Sequence, residues 1–211
     1  MFINIHTHKD TGRRIELVSR TFEEVLSTNF TFGIHPWDSD SLKSRSNEMN
    51  QILNKKGCLA VGEIGLDKLK GPELGVQVAV FKEQIVLSEQ FSLPVILHCV
   101  KSWNEIKTLK RELKPKQPWI YHGFTKANLI EEVLKEGIYI SIGEAILNSP
   151  TLQTALNKLP IDRLFLETDM AECSIEAIYT KVSELKNIPL LQLQSQLEEN
   201  FKNVFTKWIT G

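Results

Sequence analysis

The 211-residue chain contains five histidines, His6, His8, His35, His98 and His122, and each stands at or within two residues of the end of a short apolar run. Those runs are Phe2-Ile3-Asn4-Ile5, Phe32-Gly33-Ile34, Pro94-Val95-Ile96-Leu97 and Trp119-Ile120-Tyr121. Two carboxylates share the placement, Glu63 behind Leu59-Ala60-Val61-Gly62 and Asp169 behind Leu164-Phe165-Leu166-Glu167-Thr168. Imidazole nitrogen and carboxylate oxygen are the usual ligands of zinc, manganese and iron ions. His6 and His8 are two apart, so on a strand they project from one face and can offer two ligands to one ion. Glu63 follows a run expected to be buried, and a buried carboxylate must be paired, hydrogen-bonded or metal-bound. Taken singly, each histidine reads as a core imidazole with a satisfied hydrogen bond. Five at equivalent strand ends, with none elsewhere, read as a metal centre.

The elements that must position them alternate. Apolar runs predict strands near 2–6, 14–19, 30–34, 58–63, 94–98, 118–122, 138–142 and 163–168. Helical spacing predicts Val78–Phe91 (Val80, Phe81, Ile85), stopped by Pro94, and Ser102–Leu113 (Trp103, Ile106, Leu109), closed by Lys114-Pro115. Ala127–Leu134 follows, with Gly137 as its C-cap, then Pro150–Leu159, Ser174–Leu185 and Gln192–Trp208. Strands alternating with helices imply a parallel sheet, and eight of them a (β/α)8 TIM-type barrel, in which the carboxyl ends of the strands gather on the face that does chemistry. The first third departs from the ideal. Only one good helix, around Thr21–Leu26, fits between His8 and His35, and Thr7–Arg13 is too short for a crossover of a dozen residues. Arg14–Ser19 is therefore read as antiparallel or as no strand, and the barrel as abbreviated in its first βα units.

The bounds agree with a compact enzyme. The length suits a single domain over 1–211. A formal net charge of −1 gives no long-range pull on a polyanion, which excludes a basic DNA-coating protein but not an enzyme that grips a strand end. Cys58, Cys99 and Cys173 have no paired spacing, so a reducing cytoplasm is expected, and Cys99 reads as a packed thiol rather than a nucleophile. The first strand begins at Phe2 without a preceding signal segment, and no apolar run approaches the roughly 20 residues that span a bilayer. The chain has no Gly-x-Ser-x-Gly elbow, Walker loop or Rossmann glycine fingerprint.

Six motifs in order then resemble the TatD family of metal-dependent deoxyribonucleases and hydrolases, amidohydrolase-like TIM barrels: Asn4-Ile5-His6-Thr7-His8, Gly33-Ile34-His35-Pro36, Gly62-Glu63-Ile64-Gly65-Leu66-Asp67, Pro94-Val95-Ile96-Leu97-His98, His122-Gly123-Phe124 and Leu166-Glu167-Thr168-Asp169. The resemblance implies two divalent ions (Zn, Mn, Mg, Ni or Fe) held by His6, His8, Glu63, His98, His122 and Asp169, with Glu63 bridging them and Glu63 and Asp169 catalytic. It places His35 toward the substrate phosphate. Glu198-Glu199-Asn200-Phe201 resembles a structural pair in the family's closing helix. Glu167 and Asp67 are read as holding ligands from behind, or Asp67 as capping the next loop.

Departures from the family pattern mark the substrate side. Asn4 replaces an aspartate, and the stretch between His8 and His35 is about half the usual length. Lys101 stands near a usual arginine and offers a phosphate a point charge rather than a fork. Met170-Ala171-Glu172 replaces a proline-containing turn, and the Asn-Glu-Pro loop expected downstream is absent. Trp37 is the residue best placed to meet a nucleobase, whereas Phe201, Phe205 and Trp208 at helical spacing read as core. The expected activity is hydrolysis of DNA phosphodiesters from a 3′ end by a two-metal-activated water. The alternatives are hydrolysis of a small ester, lactone, amide or phosphoester on the same barrel, or a non-catalytic metal-binding barrel.

Overall fold

The computed structural model describes residues 1–13, 15–22, 24 and 29–208. Its strands are β1 (Asn4–Thr7), β2 (Glu16–Arg20), β3 (Phe30–Phe32), β4 (Cys58–Asp67), β5 (Val95–Val100), β6 (Trp119–Tyr121), β7 (Tyr139–Ile142) and β8 (Leu164–Leu166). Its helices are α1 (Ser46–Leu53), α2 (Leu74–Phe91), α3 (Trp103–Leu113), α4 (Ile130–Lys135), α5 (Ala145–Asn148), α6 (Pro150–Ala155), α7 (Ile175–Lys186) and α8 (Leu190–Val204). The strands stand in the sheet in sequence order. Contacts group the chain into two units, Met1–Val18 with Ile120–Val204, and Ser19–Trp119 with Phe205–Gly211.

In the first unit β1 has a neighbour on each side. It pairs in parallel with β2 through Asn4–Glu16 and Thr7–Val18. On its other side Thr7 bridges Asp169, just past β8, where the Asp169 amide donates to the His6 carbonyl at 3.0 Å. β8 pairs with β7 and β7 with β6, all parallel. The last strand thus lies beside the first, a cyclic order that leaves neither as an open edge and that defines the (β/α)8 barrel. Ile3, Ile5, Ile140 and Phe165 are buried along these strands, and the Tyr179 hydroxyl of α7 donates to the Ile3 carbonyl and accepts from its amide.

β2 corrects the expectation of an antiparallel or missing strand at Arg14–Ser19. A parallel return has only to retrace a strand of four residues, about 13 Å at roughly 3.3 Å per residue. An extended His8–Ile15 link reaches up to about 26 Å, so no helix is needed. Of the helix expected around Thr21–Leu26, the described Thr21, Phe22 and Glu24 are not helical, and the other positions lie outside the described residues.

In the second unit β3, β4 and β5 pair in parallel. β4 runs on to Asp67 rather than ending at Glu63, so Glu63 lies inside a strand and not at its end. The cause is the approach of β5: a Cβ on Gly62 would stand 2.5 Å from the Ile96 Cβ, and one on Gly65 only 1.9 Å from the His98 carbonyl oxygen. Gly62 and Gly65 stand where the two backbones come closest. α2 begins a turn earlier than its apolar spacing suggested, and Ser92, in the left-handed conformation, ends it ahead of Pro94. Trp119 is fully buried, its ring against Phe81. Among the described residues no helix is long and apolar enough to cross a membrane.

The closing helix α8 is fastened by Asn200, whose amide donates to the carbonyls of Ile161 at 2.7 Å and Leu164 at 2.9 Å, at the entrance to β8. Asn200→Ala leaves a buried and a part-buried acceptor without this donor and is expected to cost about 2 kcal/mol, or roughly 4–8 °C of melting temperature. Glu199→Ala, next to it and exposed, should stay within about 0.5 kcal/mol. Thermal melts of the two variants check this.

Candidate metal centre

The second unit brings His35, Glu63 and His98 together. Glu63 is buried, and its Oε1 lies against the His98 Nδ1 and 3.3 Å from the His35 Nε2. The two imidazoles approach each other at 3.3 Å through the same nitrogens. The other nitrogen of His98, Nε2, faces the Asp67 Oδ2 at 3.3 Å. Asp67 also accepts from the Trp37 indole and from the Leu69 amide, both at 2.7 Å. Burial pushes the Asp67 pKa upward, but the hydrogen bonds from Trp37, Leu69 and His98 outweigh it and hold the carboxyl below the ordinary carboxylate range. Asp67 therefore does both things expected of it, backing a candidate ligand and capping its own loop.

Two glutamines of α2 fix the backbone that carries these groups. Gln84 accepts from the Ile34 amide at 2.7 Å and donates to the Ile34 carbonyl at 3.0 Å, one residue before His35. Gln77 does the same for Asp67, at 2.8 and 2.9 Å. The sequence reading missed both. Their signal was available: they are seven apart and fall on the apolar stripe of Val80, Phe81 and Ile85, where a polar side chain needs a reason to be.

The first unit gathers His6, His8 and Asp169. The Asp169 Oδ1 stands 3.6 Å from the His6 Nε2 and 3.5 Å from the His8 Nε2. The His122 ring lies with its centroid 4.3 Å from that of His6. Glu167 is fully buried behind His122, with Oε1 at 3.4 Å from Nδ1. It accepts further from the Gly123 amide at 2.5 Å and from the Ser141 hydroxyl. The strand does not persist to Asp169, which adopts the left-handed conformation at φ 53°. Asn4 steadies that bend: its carbonyl accepts from the Thr168 amide at 3.0 Å and its amide donates to the Thr168 hydroxyl at 2.9 Å. An aspartate, the family's usual residue there, has no such donor.

Of the expected substrate residues, His35 lies within the cluster beside Glu63 and His98, and Trp37 meets the His35 ring edge to face with centroids 4.4 Å apart. Trp37 is half exposed, with the Lys70 ammonium 3.4 Å from its ring centroid. Lys101 is exposed just beyond β5, at φ 50°. Cys99 is packed in the core, and burial pushes the Cys58 thiol up to about 12.

Both clusters suit a divalent ion. Ligand atoms about 2.1 Å from a tetrahedral zinc stand about 3.4 Å apart. Pairs near that spacing are His35–Glu63 and His35–His98 at 3.3 Å and the two histidines on Asp169 at 3.5–3.6 Å, while the His98 Nδ1 lies closer to the Glu63 Oε1, in direct hydrogen-bond contact. Within each triad the ligand atoms lie within 4.8 Å of one another. Imidazole nitrogens mixed with carboxylate oxygens are the donors that zinc, manganese, iron and nickel prefer.

Residues 1–206 match the family model described as TatD-related DNase. An uncharacterized metal-dependent hydrolase, YabD, of Bacillus subtilis (strain 168) is 26% identical over 211 aligned residues, covering 89% of this chain and 82% of the relative. A 3′-5′ ssDNA/RNA exonuclease TatD of Edwardsiella piscicida is 30% identical over 75% of this chain, which spans 64% of that relative's length. Among solved structures, a TatD-family hydrolase of Entamoeba histolytica superposes with a TM-score of 0.79 at 19% identity, over 98% of both chains. YJJV, a TatD homologue of Escherichia coli K12, gives 0.75 at 23%, over 90% of this chain and 86% of that one. The fold and the donor set define a metal-dependent barrel hydrolase. The chain belongs to the TatD-related DNase family and is a hydrolase acting on ester bonds.

Glu167→Gln tests how His122 is held. The carboxylate receives the Gly123 amide, the Ser141 hydroxyl and the His122 imidazole, and an amide has only one oxygen to offer them. Divalent-ion affinity, measured by titration calorimetry with zinc or manganese, should fall about 10–100-fold. Unchanged affinity would remove Glu167 from the site.

Proposed function

We propose that the protein is a two-metal phosphodiesterase that trims DNA from the 3′ end. His6, His8 and Asp169 would hold one divalent ion and Glu63 and His98 another; His122, backed by Glu167, is a further candidate ligand. The observation that carries the reading is that the His6, His8 and Asp169 ligand atoms lie within reach of one ion, and that Glu63 lies against His98 with His35 beside them, in a chain matched to the family over residues 1–206. A non-catalytic barrel would have no need to keep every ligand.

Bound divalent ions lower the pKa of water and neutralise the charge that builds on phosphate oxygens. The protein's own groups supply the rest. Asp169 is half-buried, and its carboxylate, shared with His6 and His8, is placed to orient the attacking water and take its proton. His35, beside Glu63, and the exposed Lys101 face the non-bridging oxygens. Trp37, with part of its ring open to solvent, meets a base. Support for a nucleic-acid substrate comes from relatives named as 3′-5′ exonucleases and deoxyribonucleases.

A second reading, hydrolysis of a small ester, lactone or phosphoester, is favoured by the net charge of −1, which gives a polyanion no long-range attraction. A panel separates them: single-stranded oligonucleotides labelled at either end, against generic esters and lactones, each with Mg²⁺, Mn²⁺ or Zn²⁺. The expected result is metal-dependent shortening from the 3′ end. Turnover of the small esters alone would select the second reading. Glu63→Gln should abolish turnover on every substrate while leaving the melting transition in place, and wild-type turnover by that variant would refute the assigned ligand.

A further inference from the structure

The site's most exposed aromatic residue is wired to one of its candidate ligands. Trp37 is 41% exposed, yet its indole N–H donates at 2.7 Å to the Asp67 Oδ2, and that same oxygen faces the His98 Nε2 at 3.3 Å. The opposite nitrogen of His98 faces Glu63. A chain of contacts thus runs from solvent to the donor set: Trp37, Asp67, His98, Glu63.

Everything else around Asp67 is fixed. Its Oδ1 is held by the Leu69 amide, and its backbone amide and carbonyl are both held by Gln77. Gln77 also holds the Pro72 carbonyl at 2.8 Å. Gly71 packs so tightly on the Trp37 backbone that a Cβ there would come within 2.9 Å of the Trp37 Cα. The Lys70 ammonium lies over the indole ring, and the Trp37 and His35 rings meet edge to face with centroids 4.4 Å apart. The remaining freedom of Asp67 is rotation of its carboxylate plane, and Trp37 and His98 both bear on Oδ2.

We propose that Trp37 is a positioning residue: through the indole N–H it fixes the Asp67 carboxylate, which in turn draws the His98 proton to Nε2, so that Nδ1, which faces Glu63, presents its lone pair to the donor set. Resting on the metal-site reading above, this gives the ring a second task besides meeting substrate. A group that stacks on or displaces Trp37 then changes how firmly His98 is presented, so substrate contact and ligand geometry are coupled. The physical basis is general, since a carboxylate behind a ligating imidazole sets its tautomer and orientation.

The test uses the full chain with three variants, Trp37→Phe, Asp67→Asn and the pair together. Phenylalanine keeps an aromatic ring at a half-exposed position and removes only the donor. Divalent-ion affinity by calorimetry, which needs no substrate, is expected to fall about 10-fold in Trp37→Phe and 10–100-fold in Asp67→Asn. In the double variant the two effects should not add, because both act through one oxygen. Nitrogen-15 NMR of the histidine side chains should show His98 as the Nε2–H tautomer in the wild type and as a mixture in Trp37→Phe, a signature that loss of packing alone does not produce. With a turned-over substrate, kcat should fall while KM changes less than about 3-fold. Wild-type ion affinity and an unchanged His98 tautomer in Trp37→Phe would overturn the proposal, as would full additivity. Failure of the metal-site reading looks different: Glu63→Gln and Asp67→Asn would then both bind ions as the wild type does.

Discussion

An imidazole that is to meet a cation must be held from behind, and much of the described site answers to that constraint. A histidine has two nitrogens, and whichever carries the proton cannot coordinate, so each ligand needs an acceptor on its far side. His98 finds Asp67 and His122 finds Glu167, both carboxylates buried within a shell of their own donors. Glu167 is served by the Gly123 amide and the Ser141 hydroxyl, and Asp67 by the Leu69 amide and the Trp37 indole. These donors offset the cost of burying a negative charge.

The backbone is shaped to the same end. β4 approaches β5 closely at Gly62 and Gly65, and that approach lets Glu63 meet His98 from inside a strand rather than from a loop. In the other unit the chain beyond β8 turns through a left-handed Asp169 and is caught by β1. The Asp169 amide bonds the His6 carbonyl, and Asn4 clasps Thr168 with both ends of its amide. Asp169 and the His-x-His pair are thus set by backbone pairing between the first and last strands, rigid elements rather than flexible side chains. The departure at Asn4 reads as a structural exchange, with the amide taking over a clasp and leaving the ligands untouched.

The substrate side is organised differently. Lys101 and Met170 are exposed, whereas Trp37 is tied down by Asp67 and flanked by Lys70 and His35. The departures from the family pattern at Lys101 and Met170 fall on exposed positions, and the candidate ligands lie in hydrogen-bonded clusters. This is the division expected when one barrel serves many substrates through its loops.

How much was legible in the linear chain follows from the range of the forces involved. Strand and helix spacing depend on local alternation, and the candidate ligands on residue type, so β1, β5, β7, α3, α7 and the six ligand candidates could be read without coordinates. The C-cap at Gly137 is equally local. Parallel pairing of β2, the continuation of β4 past Glu63 and the buried glutamines Gln77 and Gln84 could not be. Each depends on what a distant segment places beside it: a four-residue strand to retrace, β5 against a glycine, the Ile34 and Asp67 backbones in need of partners. The amino-acid sequence by itself determined which side chains can bind a cation and which stretches carry them. Only the tertiary structure decided which nitrogen of each imidazole faces the donors, because that choice is made by hydrogen bonds to residues tens of positions away.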